Sequence, residues 1–173
     1  MKDSAITVSV KIDARLFRNF AIYDAFRMKK RWKSPVLFAL ILLGFAILCF
    51  SRAKTQEQAV FMGAVLLAVG FGLPIIYFAN FFRSINVQIR KLGLKSPQPV
   101  YTVTLTDVPD GIHVAAKNGE TAQYEWNNVY GAYQGKSCTY LYVQNNRAYL
   151  LPDRDVGNQG EALGSLLENR LLR

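Results

Sequence analysis

The stretch that decides the architecture is KKRWKSPVLFALILLGFAILCFSRAK, residues 29–54. Four cations, Lys29, Lys30, Arg31 and Lys33, run into an apolar segment with no charged side chain from Ser34 to Ser51. Such a stretch reads as a secretion signal, a buried core helix or a membrane span. A secretion signal puts a short apolar region near the start and ends it on a small-residue cleavage site. Here more than thirty residues come first and no such site follows. A core helix needs a large protein around it. This chain has 173 residues and carries a second uncharged run from Gln58 to Phe82, so it is too small to bury both.

A membrane span needs about 20 apolar residues. The segment 34–51 gives about 27 Å of helix and 59–82 about 36 Å, at 1.5 Å per residue. Both are long enough, and a two-helix transmembrane hairpin is the expectation. The hydrophobic fraction, 51%, is ordinary; its concentration in two runs is what matters.

Charge orients the hairpin. Residues 1–34 carry nine cations and three anions, whereas residues 97–173 carry six cations and eight anions. The basic excess therefore flanks the apolar runs. A nucleic-acid binder carries it on the folded domain instead, so nucleic acid is not an expected partner. Positive flanks stay on the cytoplasmic side. This places both termini in the cytoplasm and the connector 52–58 outside. Lys29, Lys30, Arg31, Trp32, Lys33, Arg83, Arg90 and Lys91 are the candidate lipid-headgroup residues, because juxtamembrane cations attract anionic lipid. Trp32, Tyr77, Phe81 and Phe82 suit the aromatic belt at the same level. Cys49 and Cys138 lie in unlike surroundings, one apolar and one polar, and no disulfide is expected.

In the second run, Ala64, Ala68 and Gly72 recur every four residues and share a helix face. Small residues at that spacing let a helix approach closely. The partner is either the first span or another chain. Pro74, with Gly70 and Gly72, predicts a kink. No Asp, Glu, Lys, Arg or His lies within either run, which argues against an ion pathway.

Outside the hairpin the period changes. Ile6, Val8 and Val10 alternate with polar residues, as in a half-buried strand. Asp13 reads as a helix N-cap. From there to residue 33, Leu16, Phe17, Phe20, Tyr23 and Phe26 share one face of a basic amphipathic helix. That face either lies on the membrane surface or packs on the neighbouring domain. A basic linker, 83–99, leads to a series of short strands over 100–152, with a two-residue hairpin signal at Asn118–Gly119 and a closing helix over 158–172. With residues 1–12 as a further strand, the domain 100–173 reads as a small antiparallel barrel or sandwich.

The strand–helix start, the hairpin, YTVTLTDVPDGIHV, YEWNNVYGAY, TYLYVQNNRAYLLP and the last helix occur in an order that resembles the YcxB-like membrane protein family. The best-matching points are Trp126 with Val129, the Tyr140–Leu141–Tyr142 strand, and Leu151–Pro152. The C-terminal domain of that family is related to bacterial PH-like domains. The resemblance therefore implies an α+β membrane protein: a two-helix transmembrane hairpin plus a small PH-like antiparallel β-barrel or sandwich with a C-terminal capping helix. The family has no established catalytic activity, so it supplies a fold and a topology but no reaction.

The residues point the same way. His113 is the sole histidine, and without partners it makes no zinc site. Ser137 and Cys138 need a base beside them to act as nucleophiles, and only His113 is available. Asp153 and Asp155 have the spacing of a cation clasp, but solvated turns use it more often. Gly135–Lys136–Ser137 lacks the glycine-rich loop of a nucleotide site. No catalytic residue, metal or cofactor is expected. Tyr124, Trp126, Tyr140 and Tyr142 are the candidate partner patch, with sheet packing the competing reading. A non-enzymatic interaction or assembly module of the bacterial inner membrane follows, and the resemblance implies a role in envelope stress or bacteriocin immunity. The alternative is an accessory or regulatory subunit of a membrane transporter. The partners are the bilayer with its anionic headgroups, and either a second copy or a membrane protein.

Overall fold

The computed structural model describes residues 5–52 and 57–171. The first four residues and most of the connector 52–58 lie outside the described residues. The chain divides into two compact units: Met1–Leu16 with Leu94–Arg173, and Phe17–Gly93.

The helical unit is built on α2, Lys33–Ser51, and α3, Glu57–Lys91. Both are long and apolar enough to span a membrane. Their seam is set by small residues. A Cβ added at Gly63 would lie 2.9 Å from the Phe50 ring, and one at Gly70 would lie 3.2 Å from Leu42 Cβ. Gly63 and Gly70 are seven residues apart, the repeat that keeps one face turned to a neighbouring helix. α3 runs unbroken through Pro74 and on through Arg83–Lys91. The first half of the stretch read as a basic linker is therefore helical. The physical reason is a buried stripe: Ile85 and Ile89 sit one turn apart and are both buried.

α1, Ala14–Tyr23, opens on Asp13, whose Oδ1 accepts the Leu16 N–H at 2.8 Å. A π-helical turn, Asp24–Met28, follows, and the chain reverses at Lys30, which has φ +48°. Beyond Leu16 this segment packs on α3. Phe26 stacks on Phe78 at 5.8 Å and meets Phe81 edge-on at 5.5 Å. Arg18 donates to the Asn86 side-chain oxygen at 3.0 Å. The apolar face of 17–28 thus has a protein partner within its own unit.

The second unit holds two antiparallel sheets. One has the order β1 (Ile6–Ile12), β2 (Gln98–Leu105), β3 (Ile112–Ala116), β4 (Thr121–Tyr124); the other has β5 (Gly131–Gln134), β6 (Cys138–Gln144), β7 (Arg147–Pro152). The sheets do not close into a barrel, which corrects that half of the expectation. The seam between them is made by side chains rather than by a backbone ladder. Tyr101 on β2 bonds Leu150 on β7. Asp155 accepts the Lys11 N–H at 2.7 Å, and Arg154 donates to the Lys11 carbonyl at 2.7 Å. These contacts engage both backbone groups of Lys11 on the outer edge of β1, a position otherwise open to a further strand.

β1 alternates buried and exposed residues along its whole length, so one face is core and the other solvent. β6 is buried on both faces from Cys138 to Val143. The β3–β4 loop is a three-residue hairpin rather than a two-residue one: Gly119 donates to the Ala116 carbonyl at 3.0 Å with φ +88°, the left-handed position that favours glycine. The closing helix comes in two pieces, α4 (Asp153–Val156) and α5 (Gly160–Leu171), separated by a 3₁₀ turn, with Leu163 and Leu167 buried.

Candidate functional site

The cationic candidates gather in the helical unit. Lys30, Arg31, Trp32 and Lys33 are exposed at the start of α2, and Arg83, Arg90 and Lys91 are exposed along the last part of α3. The Phe26 contacts to Phe78 and Phe81 hold the two groups at the same end of the helix pair. Lys29 stands apart, since its ammonium is 2.7 Å from the Asp24 carboxylate. Aromatic rings band this end: Tyr77 on Phe78 at 5.4 Å, Phe81 on Phe82 at 5.4 Å, with Trp32 and Tyr77 about two-fifths exposed. Away from it the surface is apolar. Phe61 is 73% exposed, Leu48 62% and Ile47 60%.

The small-residue face is not where α2 packs. Ala64 and Ala68 are exposed, and a Cβ at Gly72 would meet nothing within 4 Å. The reading of Ala64, Ala68 and Gly72 as the seam between the two spans is corrected. Gly63 and Gly70 take that role, since they lie on the face turned to Phe50 and Leu42. The four-residue spacing selected the wrong stripe because several small residues share this helix. The seven-residue interval between Gly63 and Gly70 was the usable signal.

The aromatic candidates resolve into core. Trp126 is 3% exposed, Tyr140 3% and Tyr142 1%. The Trp126 indole donates to the Thr106 carbonyl at 2.9 Å, and its backbone N–H donates to the Pro109 carbonyl at 2.9 Å. It therefore locks the β2–β3 turn. Tyr142 meets Tyr133 edge-on at 5.7 Å. These three cannot meet a partner in this fold, and the partner-patch reading is corrected for them. Tyr124 is half-buried, and its hydroxyl lies 3.1 Å from that of Tyr149. It does border a surface groove of about 480 Å³, shared with Glu125, Asn128, Tyr130, Gln144 and Asn145. Tyr130, 56% exposed, is the outward aromatic that sequence periodicity passed over, because it sits in a turn between strands.

The residues with chemical potential are not assembled. His113 is exposed on β3, opposite Thr104 and Gln123. Cys138 is buried, and desolvation pushes its thiol up to about 12; a group held neutral in this way is a poor nucleophile. Asp155 is engaged by the Lys11 N–H. Asp153 donates its own backbone N–H to the Ser137 carbonyl at 3.1 Å. Among the described residues no group of three or more His, Cys, Asp or Glu is placed to hold a metal ion. Burial pushes the Asp13 carboxyl up, but hydrogen bonds from the Leu16 N–H and from Arg154 at 2.6 Å outweigh it and hold it below the ordinary range.

No curated protein and no solved structure matches the chain. One protein-family model does match. It covers β3 to β7, the Trp126 turn and most of α5, and stops short of the two long helices. Residues 109–167 of this chain match the YcxB-like protein family, the family that the sequence resembles.

Proposed function

We propose that this chain is a two-pass protein of the bacterial cytoplasmic membrane. It holds a non-enzymatic β-domain on the cytoplasmic side as an interaction or assembly module. The settings that the resemblance opens are envelope stress and bacteriocin immunity. The observation that carries the reading is the apolar surface of α2 and α3, on which Phe61, Ile75 and Leu48 are each more than three-fifths exposed. Contiguous apolar patches beyond a few hundred Å² are rare on soluble monomers, and lipid is the solvent that accepts them. The orientation rests on the cations gathered at one end of the pair. The test is affinity capture of the full-length protein in detergent, with cross-linking in membranes. A defined partner or a second copy is expected. A strictly monomeric protein without a specific partner contradicts the reading.

A second reading, an accessory subunit of a membrane transporter, is favoured by one observation: the Ala64, Ala68 and Gly72 face is not covered by α2. Close helix approach in a bilayer uses such faces. Loss of a transporter complex on Ala68→Leu, with the β-domain still folded, distinguishes this reading from the first.

A further inference from the structure

At the cationic end of the helix pair, α2 and α3 leave a cleft of about 540 Å³ lined by Arg31, Ser34, Pro35, Phe38, Leu73, Pro74 and Tyr77. Its size is that of a ligand site, roughly 300–1,000 Å³. Its lining has two characters. Arg31, Ser34 and Tyr77 offer a guanidinium and two hydroxyls, with no carboxylate among the seven residues. Pro35, Phe38, Leu73 and Pro74 offer only hydrocarbon. Phe38 lies one helical turn past Ser34, so the lining changes from polar to apolar along α2 as the helix enters its uncharged run.

That order matches an anionic phospholipid, with a phosphate above and an acyl chain below. We propose that this cleft is a specific binding site for one anionic phospholipid, with its phosphate on Arg31 and Ser34 and one chain against Phe38, Leu73 and Pro74. The proposal rests on the membrane reading above and refines it. Diffuse attraction by Lys30, Lys33, Arg83, Arg90 and Lys91 gathers anionic lipid without fixing its position. The cleft adds a walled position for the chain and a planar guanidinium suited to phosphate. Pro74, within the unbroken α3, has no N–H to offer the Gly70 carbonyl.

The experiment is native mass spectrometry of the full-length protein released from phosphatidylcholine nanodiscs doped with phosphatidylglycerol. Insertion is scored separately by co-elution of protein and nanodisc. The wild type should retain one phosphatidylglycerol in preference to phosphatidylcholine. Arg31→Gln should reduce that preference about five-fold, the size of one juxtamembrane charge, whereas Arg83→Gln, outside the cleft, should leave the single retained lipid in place. Leu73→Trp keeps every charge and fills the apolar wall, and it should abolish retention. Inorganic phosphate should not displace the lipid; displacement would identify a plain anion site and overturn the proposal. Equal loss from Arg31→Gln and Arg83→Gln overturns it in favour of diffuse attraction. Failure of the wild type to enter nanodiscs overturns the membrane reading itself, whereas insertion without a retained lipid overturns only the cleft.

Discussion

The Tyr101 hydroxyl joins the two sheets through a single residue: it accepts the Leu150 N–H at 2.7 Å and donates to the Leu150 carbonyl at 3.2 Å. Leu150 sits on β7, at the edge of the smaller sheet. One side chain thus satisfies both backbone groups of an edge position, a role otherwise filled by a neighbouring strand. Tyr149, beside it, meets the Tyr101 ring edge-on at 5.3 Å. Tyr101→Phe keeps the ring and leaves both Leu150 groups without this partner. A loss of about 1–3 kcal/mol is expected, read by thermal or denaturant unfolding of the detergent-solubilised protein. A change within a few tenths of a kcal/mol would show that the hydroxyl is not what joins the sheets.

Alkaline pH should weaken the same region. Desolvation raises the Cys138 thiol to about 12 from an ordinary value near 9, and raises the Tyr149 hydroxyl to about 12 from near 10. Burial raises Tyr101 further in the same direction. A group whose folded-state pKa lies above its unfolded value contributes stability that is complete below the unfolded value and is lost as pH rises toward the folded one. Stability should therefore hold to about pH 9 and decline from there to about 12. Cys138→Ala should move the onset of the decline toward pH 10. An unchanged onset in that variant contradicts the assignment to Cys138.

Trp126 secures the turn between β2 and β3, and the tightness of that turn is visible at Gly111, where a Cβ would lie 2.2 Å from the Thr106 carbonyl oxygen. Trp126→Phe removes the donor to Thr106 while keeping most of the buried area, and it should cost about 1–2 kcal/mol. Trp126→Ala also opens a cavity and should cost about 3–5 kcal/mol. Similar losses from both variants would mean that the hydrogen bond, rather than the packing, dominates.

Two substitutions on α3 separate the seam from the free face. Gly70→Leu places a side chain where a Cβ alone already approaches Leu42 at 3.2 Å. It should loosen the helix pair, read as faster amide exchange in both helices. Ala68→Leu projects from an exposed position and should leave that exchange unchanged. The reverse pattern would reinstate the Ala64, Ala68, Gly72 stripe as the seam.

Much of the architecture was legible because burial imposes a period. The alternation of Ile6, Val8 and Val10 and the uncharged lengths of the two long helices translate directly into structure. Asp13 announces the start of α1 through its cap. The reach of α3 to Lys91 was harder to read, because only Ile85 and Ile89 are apolar on the buried stripe, one turn apart amid polar neighbours. The fate of the tyrosines could not be read from local pattern. Tyr140 and Tyr142 lie on β6, buried on both faces, and which strand becomes central depends on pairings between residues far apart in the chain. The seam at Gly63 and Gly70 was obscured by the other small residues on the same helix. The cleft at Arg31 needs residues 31–38 and 73–77 brought together, which no single stretch displays.

The measurement that tests the account most directly is the partition of the untagged protein between membranes and solution. Cells are broken without detergent, and the membranes are washed with alkaline carbonate. If α2 and α3 span the bilayer as proposed, the protein stays in the washed membrane fraction and is released only by detergent. Recovery of a soluble, monodisperse protein without detergent would contradict it.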